Sequence, residues 1–270
     1  MPTLYIVATP IGNMEDITLR ALRVLDEVSL IAAEDTRKTG KLLSDFGIKT
    51  PLTSYHEHNK VSKLPSLLGH LARGDVALVS EAGMPGISDP GYELVAAAIG
   101  RGIHIVPIPG ASVPVTALAV SGLPTDRFVY VGFLPRRKGQ RRQLLRDIEP
   151  QRATIVAFEA PHRLAAALND MLDVLGDRRI AVCRELTKMY EEVFRGKLSG
   201  AIAHFEEPIG EFTLVVEGKA EEKPALTDSM IDELRRLKGR GISAKEAVAR
   251  ISQTSGVGKK EVYRAWLGLG

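Results

Sequence analysis

Short apolar runs recur along the first 122 residues, with stretches of helical spacing between them. The runs at 4–8, 29–33, 76–80 and 103–107 have strand length and are rich in branched aliphatic residues. Helices are predicted over 18–26, 37–46, 61–73 and 92–101; Leu19, Leu22, Leu25 and Val28 keep the spacing of one helical face. Apolar strands alternating with helices imply a parallel sheet covered on both faces. An apolar helix over 113–121 is broken by Gly122-Leu123-Pro124, where we place a domain boundary. Beyond it, strands are predicted at 128–133, 154–158, 180–183 and 212–217, with helices at 138–148 and 163–174. The segment 189–195 can pair with 212–217 as a late antiparallel edge. Residues 220–224 read as a linker. Three short helices follow at 227–237, 243–252 and 259–267, with Thr227 and Ser243 as N-caps and Glu246 completing a capping box. The predicted fold class is α/β: domains over 1–122 and 123–220, plus a small basic helical extension over 221–270.

The strand-to-helix punctuation holds the candidate chemistry. Between Val79 and Tyr92 lie Gly83, Gly86 and Gly91, Pro85 and Pro90, and the carboxylates Glu81 and Asp89. Ser88 or Asp89 can cap the next helix, with Pro90 in its first turn. Two more loops share this style, Thr9-Pro10-Ile11-Gly12-Asn13 and Pro107-Ile108-Pro109-Gly110-Ala111-Ser112. Three such loops at the carboxyl ends of adjacent strands would build one pocket lined by backbone polar groups. None of them is GxGxxG or a P-loop, so a plain dinucleotide or triphosphate cradle is not indicated.

Polar clusters stand at other strand ends. Glu34-Asp35-Thr36-Arg37-Lys38 is either a site or a capped helix start. His56 and His58 have the alternation for a shared ligand, but no further ligand falls at metal spacing; a polar loop over the site is expected, and no metal. His162 can act as a general base or sit structurally at a helix start. Arg184, Glu185 and Lys188 form a further cluster.

Composition adds bounds. Of 270 residues, 44% are hydrophobic and 26% charged, as in ordinary globular domains. A single cysteine, Cys183, lies in an apolar run, which excludes a disulfide framework and reads as a buried thiol in a reducing compartment. No segment has signal-peptide anatomy or the roughly 20 apolar residues of a membrane span, so a cytoplasmic protein without membrane contact is expected. Net charge is only +3, but Arg136, Arg137, Lys138, Arg141, Arg142 and Arg146 crowd into one acid-free stretch. That stretch is either a solvated basic face or a phosphate-backbone contact. Residues 219–270 carry eleven Lys/Arg against seven Asp/Glu, and form a helix-turn-helix-like unit or a docking bundle.

Several of these runs, taken in order, resemble those of the tetrapyrrole (corrin/porphyrin) methylase superfamily. They are Thr9-Pro10-Ile11-Gly12-Asn13, Ala33-Glu34-Asp35-Thr36-Arg37, Ile87-Ser88-Asp89-Pro90-Gly91, Pro109-Gly110, Gly132-Phe133-Leu134-Pro135, Pro161-His162-Arg163, Arg184-Glu185-Leu186-Thr187-Lys188 and Gly210-Glu211-Phe212. Within the superfamily they are most similar to the ribosomal RNA small subunit methyltransferase I family. Two departures stand out: Glu81-Ala82-Gly83-Met84-Pro85 where that family usually has Asp-Ala-Gly-Thr-Pro, and Glu159-Ala160-Pro161 where it usually has Glu-Ser-Pro.

The resemblance implies two α/β domains with S-adenosylmethionine folded in the cleft between them. It matches Pro10, Gly12, Gly83, Met84, Ile87, Ser112 and Val113 to one side of the cofactor, and Phe158, Thr213 and Leu214 to the other. It further implies 2′-O-methylation of a cytidine in 16S ribosomal RNA near the decoding centre, by a homodimer acting on the RNA or the small ribosomal subunit. A hydroxyl acceptor needs a base or a cation that stabilises the alkoxide. Glu34, Asp35, Arg37, Glu185 and Lys188 are the groups at hand, and the sequence does not choose among them. A small-molecule tetrapyrrole or corrin precursor methylase is the alternative, and would not need the basic stretches. A non-catalytic RNA-binding protein is disfavoured by the intact loops.

Overall fold

The computed structural model describes residues 2–221 and 225–269, so Glu222, Lys223 and Pro224 of the expected linker lie outside the described residues. The chain divides into two compact units, Met1–Lys219 and Ala220–Gly270. The first unit holds two five-stranded sheets.

The first sheet contains β1 (Thr3–Val7), β2 (Leu30–Ala33), β3 (Leu52–Ser54), β4 (Val76–Val79) and β5 (His104–Ile108), in the order β3-β2-β4-β1-β5. Every pairing is parallel. Helices α1 (Leu19–Glu27), α2 (Thr36–Asp45), α3 (Lys60–Leu71) and α4 (Tyr92–Ile99) make the crossovers, and α5 (Val113–Val120) follows β5. Two apolar clusters pack on opposite faces of this sheet, as its continuous hydrophobic strands require. β2 and β4 are buried at every position, the signature of central strands. The three-residue β3 is an edge strand too short to register in the hydrophobic pattern.

The second sheet is mixed. It contains β6 (Phe128–Phe133), β7 (Thr154–Glu159), β8 (Arg179–Arg184), β9 (Glu192–Lys197) and β10 (Phe212–Val216), ordered β6-β7-β10-β8-β9. Helices α6 (Lys138–Ile148), α7 (Pro161–Leu175) and α8 (Leu198–His204) complete it. The expected pairing of 189–195 with 212–217 does not occur. β9 pairs with β8, while β10 lies between β7 and β8. The reason is burial: Phe212-Thr213-Leu214-Val215-Val216 is apolar on both faces and claims a central place, whereas Glu192-Val193-Phe194-Arg195-Gly196-Lys197 can only be an edge. Cys183 is buried, and that burial pushes its thiol up to about 12.

One side of the second sheet is closed by a buried ion pair. The Arg141 guanidinium donates from Nε (2.8 Å) and Nη2 (2.6 Å) to Asp170 Oδ2, joining α6 to α7. Arg142 reaches Asp170 Oδ1 at 3.1 Å and Asp173 at 2.7 Å. The expected basic stripe is therefore two sets of residues. Arg136, Arg137, Lys138 and Arg146 are exposed, but Arg141 is an interior anchor, because α6 must turn one face onto α7.

In the second unit, α9 (Asp228–Gly239), α10 (Ala244–Ser255) and α11 (Lys259–Leu267) enclose a core that includes Leu234, Val248, Ile251, Val262 and Trp266. Ser243 caps α10 by accepting from the Glu246 N–H at 3.3 Å. Thr227 makes no such bond, its hydroxyl instead meeting that of Ser229. Among the described residues no helix is long and apolar enough to cross a membrane.

Removing one member of a buried ion pair leaves the other charge uncompensated, at a cost of about 3–5 kcal/mol. Urea unfolding should show a loss of that size for Asp170→Ala, which leaves the buried Arg141 guanidinium without its carboxylate, and a change within about 0.5 kcal/mol for Arg136→Ala.

Candidate active site

The loops after β1 and β4 are clipped together. Thr9 N–H donates to Gly83 C=O and Gly83 N–H to Thr9 C=O, both at 3.0 Å. Gly83 sits at φ 79°, a left-handed conformation that a side chain would strain. Beyond it the chain turns again at Ser88, a non-glycine residue at φ 65°. Its hydroxyl meets the Tyr130 hydroxyl of β6 at 2.6 Å, tying the second loop to the second sheet. Neither Ser88 nor Asp89 caps α4. Pro90 and Gly91 lengthen the loop and Gly91 takes the cap position, so both side chains are released for other contacts.

A second joint forms at 185–188. Glu185 (φ 49°) and Thr187 (φ 66°) both hold left-handed backbone, a conformation costing about 1–3 kcal/mol per residue. The turn is wedged between two glycines. A Cβ at Gly12 would stand 2.5 Å from Lys188 Cγ, and one at Gly210 would stand 2.5 Å from Glu185 Cγ. Thr187 Oγ1 accepts from Asn13 N–H at 3.1 Å, and Glu185 Oε1 accepts from Glu211 N–H at 2.8 Å. Lys188 Nζ donates to Glu185 (3.0 Å) and Glu211 (2.9 Å).

Two neighbouring cavities open on these loops. The larger, about 350 Å³, is bordered by Gly83, Met84, Ile87, Asp89, Ser112 and Val113 on one side and by Phe133, Phe158 and Thr213 on the other. The smaller, about 220 Å³, is bordered by Pro10, Gly12, Lys38, Ser80 and Lys188. Glu81, Ala82 and Glu211 border both. Tyr130 and Phe133 each pack edge-on against Phe158, with centroids 5.3 Å apart, so one wall of the larger cavity is aromatic.

Its floor is acidic. Burial, followed by repulsion from Glu34 and, more weakly, Glu81, pushes the Asp89 carboxyl up to about 7, although a hydrogen bond with the Ser80 side chain works against this. Glu34 Oε2 accepts from Glu81 N–H at 3.2 Å, and Lys38 pairs with Glu81. Glu159 borders the cavity, but its side chain shares the face of Ile155 and Ala157 and pairs with Arg163 at 2.5 Å. Burial would lower the Lys188 ammonium, but its bonds to Glu211 and Glu185 outweigh this and raise it, so it stays charged near neutrality.

The residues singled out in the sequence are placed as follows. Pro10 and Gly12 border the smaller cavity; Gly83, Met84, Ile87, Ser112, Val113, Phe158, Thr213 and Glu34 border the larger. The Leu214 side chain is fully buried in the core beneath α6 and α7 and borders neither. Asp35 is spent on capping α2, accepting from Arg37 N–H at 2.8 Å and Lys38 N–H at 3.3 Å. The Arg37 side chain is 91% exposed and borders neither cavity. Glu185 acts from behind, holding Lys188 and the Glu211 backbone. His162 is exposed in the first turn of α7 and borders neither cavity, although its neighbour Pro161 borders the larger. Phe133, Tyr130 and the place of Asp89 as a cavity carboxyl are not singled out by the sequence, and Lys38 stands out there only within the charged run 34–38. The Gly132-Phe133 pair was visible as a motif, but only tertiary packing shows where its ring lies.

A fold of this kind with a cavity on these loops is that of a tetrapyrrole-type methylase. Residues 3–202 match the family described as Tetrapyrrole (Corrin/Porphyrin) Methylases. A diphthine synthase structure superposes with a TM-score of 0.61 at 16% identity, over 80% of this chain and 90% of that one. The uroporphyrin-III-C-methyltransferase of Thermus thermophilus does so at 0.57 and 22%, over 80% and 94%. At these identities the likeness is one of fold. Proteins named ribosomal RNA small subunit methyltransferase I are far more similar in sequence. That of Halalkalibacterium halodurans is 50% identical over 98% of this chain and 94% of its own length. That of Synechocystis is 48% identical over 100% and 99%. That of Thermotoga maritima is 50% identical over 81% and 100%. The chain belongs to the tetrapyrrole methylase family and, within it, to the ribosomal RNA small subunit methyltransferase I family.

The raised Asp89 carboxyl makes folding pH-dependent. The folded state holds this proton more tightly than the unfolded chain, whose aspartate titrates near 3.9. That stabilisation is full below the unfolded value and is lost as pH rises to about 7. Asp89→Asn, which never ionises, should match the wild type at about pH 4 and exceed it above about pH 8, by a few degrees in Tm.

Proposed function

We propose that this chain transfers a methyl group from S-adenosylmethionine to the ribose 2′-hydroxyl of a cytidine in 16S ribosomal RNA, near the decoding centre. The observation that carries the reading is the larger cavity itself. It joins the Phe158 ring and the aliphatic Met84, Ile87 and Val113, suited to a purine, to backbone loops suited to a sugar and to carboxylates suited to a positive centre. When bound, adenosylmethionine supplies a methyl group activated by a positively charged sulfur. Gly83, Met84 and Ile87 on one side and Phe158 and Thr213 on the other would hold it. The names of the similar ribosomal RNA methyltransferases support RNA as the acceptor, as do the exposed Arg136, Arg137 and Lys138.

The protein's task is to align the hydroxyl and take its proton. Asp89 suits the second role, since an acidity of about 7 is matched to proton transfer near neutrality. Asp35 is committed to its helix cap, and Lys188 remains an ammonium flanked by two carboxylates. Lys188 therefore fixes Glu211 at the border of the two cavities rather than accepting a proton. A homodimer in the cytoplasm completes the reading. In support of the dimer, α5 is apolar nearly all round yet leaves Val115 56% exposed.

Tritiated methyl transfer to small ribosomal subunits and to naked RNA, followed by mapping of alkali-resistant dinucleotides, tests the proposal. A labelled alkali-resistant linkage after cytidine is expected. No label in either RNA, with adenosylmethionine still bound, would favour a small tetrapyrrole acceptor. The kcat/KM for adenosylmethionine, which reports the free enzyme, should rise with pH through an apparent pKa near 7. Asp89→Asn should lose about 10²-fold or more in kcat and flatten that limb.

A further inference from the structure

β6 carries an irregularity with a directional consequence. Its register against β7 runs Phe128↔Thr154, Val129↔Ile155, Tyr130↔Val156, then jumps to Gly132↔Ala157 and Phe133↔Phe158. One extra residue has been inserted at Val131. In a regular strand Tyr130 and Phe133, three positions apart, would face opposite sides. The bulge cancels that inversion and puts both rings on the face of Phe158, while Val131 packs into the core beneath α6 and α7. Gly132 makes this possible. It sits at φ 68°, and a Cβ there would come within 3.0 Å of Ser88 Oγ.

The result is an aromatic ring sent outward between two buried neighbours. Gly132 and Leu134 are buried, while Phe133 is 58% exposed at the border of the larger cavity. An edge contact with Phe158 sets its tilt, and more than half of the residue stays exposed. Three residues on, the chain presents Arg136, Arg137 and Lys138, all exposed and without an ion pair among the described residues. An open aromatic face followed by unpaired cations is the arrangement that binds single-stranded nucleic acid, with a base stacked on the ring and phosphates along the charges.

We infer that Phe133 is the stacking platform for a base of the acceptor RNA, holding an unpaired nucleotide at the mouth of the larger cavity while Arg136, Arg137 and Lys138 hold the flanking phosphates. The inference rests on the proposed RNA methylation but concerns a separate step, the capture of the nucleotide. It also assigns a purpose to the bulge: β6 gives up one regular ladder position to aim the ring.

The test uses a short single-stranded RNA carrying the fluorescent analogue pyrrolocytidine, titrated onto the full chain with saturating adenosylmethionine. Stacking should quench the analogue and give a measurable Kd by anisotropy. Phe133→Leu keeps an apolar side chain without the ring. It should weaken RNA binding about 5- to 100-fold, the range of one lost base–aromatic stack, and abolish the quench. Phe133→Trp should restore both, while adenosylmethionine affinity, read by calorimetry, stays within about twofold in either variant. Equal quench and Kd in wild type and Phe133→Leu would overturn the inference, as would a parallel loss of adenosylmethionine affinity, which would make the ring part of the cofactor site. Because the readout is binding, quenched RNA that receives no methyl group would overturn the proposed activity and leave the stacking role standing.

Discussion

The strained turn at 185–188 is the joint on which the site depends. It is held in left-handed backbone at two non-glycine residues, and strain of that kind persists only where surrounding contacts over-determine it. Those contacts come from both sheets. Asn13, after β1, donates to Thr187, and Glu211, before β10, donates to Glu185. Gly12 and Gly210 are the two positions where a side chain would drive the parts apart. The Thr9–Gly83 pair then extends this fixed geometry to the loop after β4. Segments at the ends of four strands, β1, β4, β8 and β10, thus meet in one wall.

The electrostatics follow from where charge is paired. Acidic groups gather at the cavity floor, where burial, then Glu34 and more weakly Glu81, raise the cost of ionising Asp89, and a positive centre would relieve that cost. Basic groups stand outside. Of the cations on and before α6, Arg141 is neutralised inside by Asp170, so the charge left for solvent is concentrated at 136–138, beside Phe133.

Much of this was legible in the chain. The parallel sheet announced itself through β2 and β4, whose apolar runs have no polar face to offer. The three loops were marked by proline and glycine, and most of the residues picked from them do border the cavities. What the chain alone leaves open is local ambiguity. Asp35 satisfies the pattern of a catalytic carboxylate and that of a helix cap equally, and the structure shows the cap. Arg141 looks the same in sequence as Arg137, yet one is interior and the other exposed.

The sequence by itself determined the element order, the central strands and the loops that carry chemistry, because these rest on periodicity and on backbone freedom, which are local properties. Only the tertiary structure decided that β10 enters between β7 and β8, that Asp89 is crowded by Glu34, and that a one-residue bulge turns Phe133 outward. Each of these depends on which distant segment lies alongside. A carboxyl's acidity is set by its neighbours' charge and the water it has lost, and a ring's direction by the register of the strand beside it.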